Sequence, residues 1–393
     1  MRNLVDAAKE WMPELVKIRR DFHEYPEVSQ HEVRTSKKVA EYLMEMGCDE
    51  VIENVGGYGV IGVIKGEKEG RVVALRADMD ALQIKEMNDV EYKSKNDGIM
   101  HACGHDGHMT GLLGAAKLLL ERRAELKGTV KLVFQPAEEL SPVGGARAML
   151  ESGYLDDAAA IFGLHVWPDL PHGKVGVKAG PLMAATDHFT ITIHGKTAHG
   201  AKPDQGIDAV VLGSQFVMAA QTVVSRRVNP LDNAVVTFGI FNAGTRYNII
   251  AGECILDGTV RTLNEDTRDM IEDALRKLLD SICLQSGATA DIVYGRGYPA
   301  LVNHEKDAAL IRKSAVSLFG EEGIVDVQLP AMPAEDFSFY LKEKQGAFVW
   351  LGTGKEGKEV WPLHNSRFDM DEDVLWRGAA LLAQTAIDYL EQK

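Results

Sequence analysis

Three imidazoles and a thiol fall within eight consecutive residues, His101-Ala102-Cys103-Gly104-His105-Asp106-Gly107-His108. Thiol and imidazole at two-residue spacing is a pattern of metal ligation, because a short loop delivers both donors to one point. Directly after it, residues 109–121 carry Leu112, Leu113, Ala116, Leu118, Leu119 and Leu120, the composition of a buried helix. The cluster therefore stands at a helix N-terminus, where backbone N–H groups and the dipole favour thiolate and carboxylate over their protonated forms. So short a loop supplies two or three ligands at most, and the rest must come from elsewhere.

Candidates for the rest stand at the ends of predicted elements. Residues 130–134 read as a buried strand that delivers Gln135-Pro136-Ala137-Glu138-Glu139. Residues 160–164 read as another, with His165 just beyond it, and His364 lies in Pro362-Leu363-His364-Asn365. Cys103, His105, Glu139, His165 and His364 are too many for one tetrahedral ion and suit a pair sharing a bridging group. Thiolate with imidazole favours zinc, manganese, cobalt or nickel over magnesium or calcium. Adjacent carboxylates beyond a strand end point to different sides, so one of Glu138 and Glu139 can ligate while its neighbour holds a proton. That division is what metal-assisted hydrolysis requires; a plain surface acidic pair is the alternative. Asp78 and Asp80, two apart at a strand end, share a face and read either as ligands or as groups that orient a histidine ligand. Further along, His199 follows a strand between small neighbours, and Asn248 with Arg261 suits a carboxylate.

The elements that must position these groups can be read in the same way. With 393 residues the chain has room for two or three domains. Its 43 basic against 58 acidic residues give a net −15, which argues against nucleic acid or an anionic membrane as a main partner. No stretch is long and apolar enough to span a bilayer, and residues 1–20 lack the apolar run of a signal peptide. Cys48, Cys103, Cys254 and Cys283 are scattered and read as reduced thiols of a cytoplasmic protein.

Helices are expected at residues 1–21 and 36–46, and two strands at 58–64 and 71–77 joined as a hairpin by Glu67-Lys68-Glu69-Gly70. Gly57-Tyr58-Gly59-Val60-Ile61-Gly62 matches a dinucleotide-binding pattern, but no helix opens on it, and strand glycines beside a turn account for it better. Strands then alternate with helices, which predicts an α/β fold with a mostly parallel sheet, helices on both faces and ligands at strand carboxyl ends. Near Gly180 the pattern changes. Strands at 188–193, 234–241, 254–262 and 288–294, with helices at 207–224 and 266–284, give β-α-β-β-α-β, the signature of a ferredoxin-like α+β domain. From about Tyr298 the α/β style returns, with a helix at 307–319, a strand at 347–351 and a helix at 374–390. The expected organisation is one α/β domain, residues 1–183 and 297–393, interrupted by an inserted domain, residues 184–296.

With these residues in view, the stretches from His101 to His108, Arg76 to Leu82, Gln135 to Glu139 and Ala334-Glu335-Asp336-Phe337-Ser338 together resemble the binuclear-metal amidohydrolases. That family includes hippurate hydrolase, N-acyl-L-amino acid amidohydrolases and plant auxin-conjugate hydrolases, and is related to the aminoacylases and carboxypeptidase G. The motifs occur in matching order over nearly the whole chain. The resemblance implies two divalent ions held by Cys103, His105, Glu139, His165 and His364, and Glu138 as the base that activates a metal-bridging water. It implies an N-acyl amino acid as substrate, split at its amide into an acid and a free amino acid. It gives the inserted domain the roles of lid and homodimer contact, with His199 reaching the neighbouring subunit's site to hold the oxyanion, and Asn248 and Arg261 gripping the substrate carboxylate. Asp80 joins the catalytic group. Gln83, where Pro is usual, and Pro333, where Gly is usual, flank the site and bear on substrate preference. A dipeptidase or carboxypeptidase with the same machinery is the nearest rival. A metal-binding scaffold without turnover is the rival from another class, and Glu138 speaks against it because no binding role requires that carboxylate.

Overall fold

The computed structural model describes residues 3–354, 357 and 359–392. Two compact units emerge. The larger combines the chain through Gly180 with Val302–Leu329 and the residues from Asp336 onward; the smaller combines Pro181–Leu301 with Pro330–Glu335.

The larger unit is built on an eight-stranded sheet. Its strands are β1 (Glu50–Val55), β2 (Gly59–Lys65), β3 (Lys68–Asp78), β4 (Lys127–Gln135), β5 (Ala158–Pro171), β6 (Val175–Val177), β7 (Ile324–Asp326) and β8 (Gln345–Gly354), in the spatial order β1-β2-β4-β3-β5-β8-β6-β7. The centre, β4-β3-β5-β8, is parallel. Continuous burial along the second half of β3 and most of β5 is what two covered faces demand. Alternation on β5 shows both layers: Phe162 and Leu164 join the core shared with the last helix, Leu375–Glu391, while a Cβ on Gly163 between them would meet Phe337 of the short helix Phe337–Glu343.

Three expectations need correction. β2 and β3 are not a hairpin, because β4 lies between them, antiparallel to β2 and parallel to β3. Only Glu67 is a bend, and Lys68 to Gly70 already belong to β3; an edge of both β2 and β3 is taken by β4, and the hairpin is β1–β2, where Val55 pairs with Gly59. The N-terminal helix is two helices, α1 (Leu4–Glu10) and α2 (Met12–Glu24), divided at Trp11. Pro13 lacks the N–H that a continuous helix would need, so it opens a new one instead. The first two residues of that expected helix lie outside the described residues. Finally, His165 falls inside β5, not beyond it.

Helix α3 (Val33–Met46) and helix α4 (His105–Leu120) complete the frame around the cluster. Gly104 caps α4 at φ +87°, a left-handed conformation, and a Cβ there would lie 2.4 Å from Val166. Glycine alone lets the loop turn into the helix so close to β5. Cys103 thus immediately precedes the helix cap and His105 begins the helix.

The smaller unit is a β-α-β-β-α-β fold. Its antiparallel sheet runs Thr289–Arg296, Ala185–His194, Glu253–Thr262, Ala234–Ala243 in space. Helices Ala209–Thr222 and Glu265–Ser286 share a core with one face of it, where Phe189, Ile191, Ile193 and Leu256 pack with Phe216, Ile271 and Leu275. The second helix begins on Asn264, whose side chain accepts the N–H groups of Asp266 and Thr267. A buried ion pair ties it to the sheet: Arg268 Nε donates to Asp187 at 3.0 Å, and Tyr294 Oη donates to the same carboxylate at 2.9 Å.

Candidate active site

The parallel strands β3, β4 and β5 each carry functional groups toward their carboxyl ends, as open α/β sheets do. Asp78 closes β3 with Asp80 two residues on, Gln135 closes β4 ahead of Glu138 and Glu139, and His165 projects from β5. The first turn of α4 and the preceding Cys103 face them.

Hydrogen bonding sorts the histidines. His105 Nδ1 lies 2.8 Å from the backbone oxygen of Asp80, which can only accept, so Nδ1 carries a proton and Nε2 is the nitrogen left to ligate a cation. His165 repeats the arrangement, with Nδ1 2.6 Å from the backbone oxygen of Val166 and Nε2 3.4 Å from Cys103 Sγ. In both, a backbone carbonyl fixes the ring and leaves Nε2 in one donor group with the Cys103 thiol, which is how metal-ligating histidines are held; His105 Nε2 lies also 4.0 Å from Glu139 Oε1. His105 Nε2 has no hydrogen-bond partner among the described residues, nor does Glu139 Oε1, although both atoms are buried. His108 is different. It donates from Nδ1 to Asp78 Oδ1 at 2.6 Å and accepts the Val166 N–H on Nε2 at 2.9 Å, so both nitrogens are used within the protein. His101 is buried and stands outside the donor groups formed by the described residues; burial holds it neutral, pushed down to about 3.

Two donor groups share members. Cys103, His105 and His165 form one, and Cys103, Glu139 and His364 another, with the donor atoms of each group within 4.8 Å of one another. The histidine of the second group sits at φ +62°, and its backbone N–H donates to the Ala102 carbonyl at 2.8 Å, which pins the distant loop to the cluster. Its Nε2 is 3.2 Å from Glu139 Oε1 without hydrogen-bond geometry, as expected of two donors aimed at a common third point.

Electrostatics supports the same account. Burial alone would lower His105, yet Asp78, Asp80 and Glu139 overcome it and raise it to about 10. Burial and the carboxylates of Glu139, Glu138 and Asp78 together push the Cys103 thiol well up. The protein groups therefore leave uncompensated negative charge at this point, and cations bound there would reverse the shift of the thiol.

Asp80 serves another purpose. Its oxygens accept Ser29 Oγ at 2.6 Å and the backbone N–H groups of Glu138 and Glu139 at 3.1 and 2.9 Å. Asp78 is engaged by Arg76 at 2.7 Å as well as by His108. Beneath both lies a buried network that residue spacing does not announce: Arg76 also binds Gln135 Oε1 at 2.9 Å and Asp336 at 2.8 Å, and Asp336 accepts the N–H groups of Gly145 and Ala146. Arg76 and Asp336 stand in two of the motifs that carry the family resemblance, which is the signal that could have found them. Ser29 and Glu32 give none. Glu138 is 6% exposed, and its Oε1 accepts the Asp336 N–H at 3.4 Å.

The remaining candidates belong to the smaller unit. His199 is exposed, and its Nδ1 accepts the Ala201 N–H at 3.0 Å, which leaves the proton on Nε2. Asn248 is half-buried, with Oδ1 unpartnered among the described residues, and its backbone oxygen accepts the Gly200 N–H at 2.8 Å. Arg261, near the end of its strand, donates to Thr259 Oγ1 and to the Val260 carbonyl.

Residues 74–388 match the model of peptidase family M20/M25/M40. The chain belongs to that family. It is 41% identical over 387 residues to an N-acetylcysteine deacetylase of Bacillus subtilis, covering 98% of this chain and 99% of that one. It is 39% identical over 392 residues to thermostable carboxypeptidase 1 of Saccharolobus solfataricus, covering 99% and 98%. Among solved structures, the YxeP protein of Bacillus subtilis, described as a dinuclear metal-binding peptidase of the M20 family, superposes with a TM-score of 0.86 at 38% identity, covering 98% and 99%.

Proposed function

We propose that this M20/M25/M40 member is a two-metal amidohydrolase that cleaves the amide bond of N-acyl amino acids of N-acetyl or N-benzoyl type. The observation that carries the reading is the matched pair His105 and His165, each with Nδ1–H on a backbone carbonyl and Nε2 in one donor group with the Cys103 thiol. Cys103, His105 and His165 would hold one divalent ion and Glu139 with His364 the other, Cys103 standing in both donor groups. When bound, the pair supplies Lewis acidity toward the acyl carbonyl and lowers the pKa of the attacking water. Glu138 takes that proton and passes it to the departing amine nitrogen. Asp80 is a positioning residue, which fixes the His105 tautomer through its carbonyl and the Glu138–Glu139 backbone through its carboxylate.

The inserted domain, residues 184–296, acts as lid and dimer contact. The partner subunit's His199 donates its Nε2–H to the oxyanion, and Arg261 with the amide of Asn248 grips the substrate carboxylate. The dimer is supported by the strand Ala234–Ala243, which lies at the sheet edge with Val235, Ile240 and Phe241 exposed, a surface ready to pair with another strand. Ile240→Lys, on the strand face opposite the helices, is expected to convert a dimer to a monomer in sedimentation equilibrium while leaving the melting temperature nearly unchanged. A monomeric unmodified protein would remove the dimer from this reading. The free state of all four cysteines suits a cytoplasmic enzyme.

A carboxypeptidase reading, favoured by the Saccharolobus relative, uses the same groups on a peptide. Incubation of the metal-loaded protein with N-acetylmethionine, hippurate and several dipeptides, followed by assay of free amine, separates the two. Release from the acyl amino acids is the expected result, and release from dipeptides alone would replace the first reading by the second. Cys103→Ala is expected to lower both bound metal per chain and turnover; full metal content in that variant, measured by plasma emission, would take Cys103 off the ligand set.

A further inference from the structure

Three consecutive backbone N–H groups, those of Ala137, Glu138 and Glu139, all point at carboxylates. Asp80 takes the second and third; Glu32 Oε1 takes the first at 2.8 Å. Successive N–H groups gathered in this way form a concave nest that suits anionic oxygen. At its head Ala137 has φ +57°, a left-handed conformation that a residue with a Cβ disfavours, and it is 4% exposed. Without the Glu32 oxygen its N–H would be buried and unpaired, and relaxation to negative φ would relieve both defects.

Glu32 is fully buried, although it heads helix α3 and its side chain does not cap that helix. Glu27 caps instead, accepting the N–H groups of Arg34 and Thr35 at 3.1 and 2.8 Å. The segment between them is fastened to β3's end: the Glu27 carbonyl accepts the Ala81 N–H at 2.8 Å, Val28 bridges Ala81, and Ser29 binds Asp80. One platform thus presents both carboxylates to the turn.

We propose that Glu32 is a positioning residue whose side-chain oxygen holds Ala137 in its left-handed conformation and thereby sets the directions of Glu138 and Glu139. The inference rests on the roles given above to those two residues. The required property is reach, not charge. Glutamine keeps an oxygen at the same distance from the backbone without the charge; aspartate keeps the charge but is one methylene short. The two substitutions therefore separate positioning from a buried-charge effect.

The experiment compares Glu32→Gln, Glu32→Asp, Glu32→Ala and the double variant Glu32→Ala/Ala137→Gly with the unmodified protein. Each is measured by hydrogen exchange of the peptide spanning residues 134–141, by zinc affinity in chelator competition, and by kcat and KM on N-acetylmethionine. Glu32→Gln is expected to keep slow exchange and a kcat within about threefold. Glu32→Asp and Glu32→Ala are expected to exchange rapidly at 134–141, bind zinc roughly tenfold more weakly and lose roughly 10- to 100-fold in kcat with KM little changed, the range for a group supporting a metal site. Glycine adopts positive φ without the Cβ penalty, so the double variant should regain part of the loss. Slow exchange and unaltered zinc affinity in Glu32→Asp overturn the proposal, as does a loss in Glu32→Gln equal to that in Glu32→Ala. If Glu32→Ala does not fold, the aspartate and glutamine variants decide alone. If the unmodified protein hydrolyses none of the substrates, the functional reading fails, while exchange and zinc affinity still judge Glu32.

Discussion

Glu138→Gln is expected to bind its full complement of metal and to lose at least about a hundredfold in kcat, the scale of a missing general base. The two carboxylates follow one another in a turn whose N–H groups are both held by Asp80, so their side chains leave the backbone in fixed and different directions. Glu139 points its buried Oε1 toward His364 and His105, at 3.2 and 4.0 Å from their Nε2 atoms. Glu138 instead accepts an N–H from Asp336; it lies within reach of His105 and Glu139 but joins neither donor group that contains the thiol. Glutamine preserves size and the ability to accept that bond while removing the capacity to take a proton, so the substitution isolates the chemistry. Glu139→Gln should behave in the opposite way, losing metal first and activity as a consequence. Metal analysis of both variants beside their kcat values checks the assignment; metal loss in Glu138→Gln with metal retained in Glu139→Gln would mean that the two roles are exchanged.

The proposed donors were legible only as a set: a thiol and imidazoles spaced by two residues are chemically conspicuous, whereas His165 or His364 taken singly reads more readily as a structural histidine. What selects among them was not. His108 looks as good a ligand as His105 in the sequence, and only the N–H of Val166, 58 residues away, occupies its second nitrogen. The Asp80 carboxylate reads as a ligand or a catalyst until its partners are known, and those partners are Ser29 and the backbone of residues 138 and 139, which no spacing rule connects. Glu32 shows the limit most clearly. Its partner lies 105 positions along the chain and is a backbone N–H, which leaves no trace in side-chain type. In the fold, apolar periodicity placed the longer strands and helices, since burial on one or two faces is a local pattern, but it gave no sign of β1, β6, β7 or the helix Phe337–Glu343. Strand adjacency is a non-local property, and so the charged turn after β2 suggested a hairpin where β4 in fact intervenes. The small domain was easier to read, because its βαββαβ succession alone restricts the pairing to few arrangements.

His199→Ala should lower kcat on the order of a hundred- to a thousandfold and change KM little, the signature of a donor whose bond strengthens as charge develops on the carbonyl oxygen. The tautomer supports a donor role: Nδ1 is committed to the Ala201 N–H, so the proton rides on Nε2 of an exposed ring. The loop is stiffened as well, since the His199 carbonyl accepts the Lys202 N–H at 2.7 Å and His199 forms a bridge with Ile249. A ring so fixed gives up little freedom on meeting the oxyanion, which is what makes an oxyanion donor effective. Because the smaller unit supplies none of the proposed metal ligands, the variant should keep its metal and its melting temperature. Action across a dimer adds a stricter requirement. If the proposed dimer forms, subunits carrying His199→Ala and subunits carrying Glu138→Gln should each be nearly inactive when assembled alone. In a hybrid, one site combines the intact Glu138 of the first subunit with the intact His199 of the second. The other site lacks both. Mixing and reassembly should therefore restore activity toward half of one normal dimer per hybrid. Hybrids that form, as shown by tagged co-purification, and yet remain inactive would confine His199 to its own subunit or remove it from the reaction.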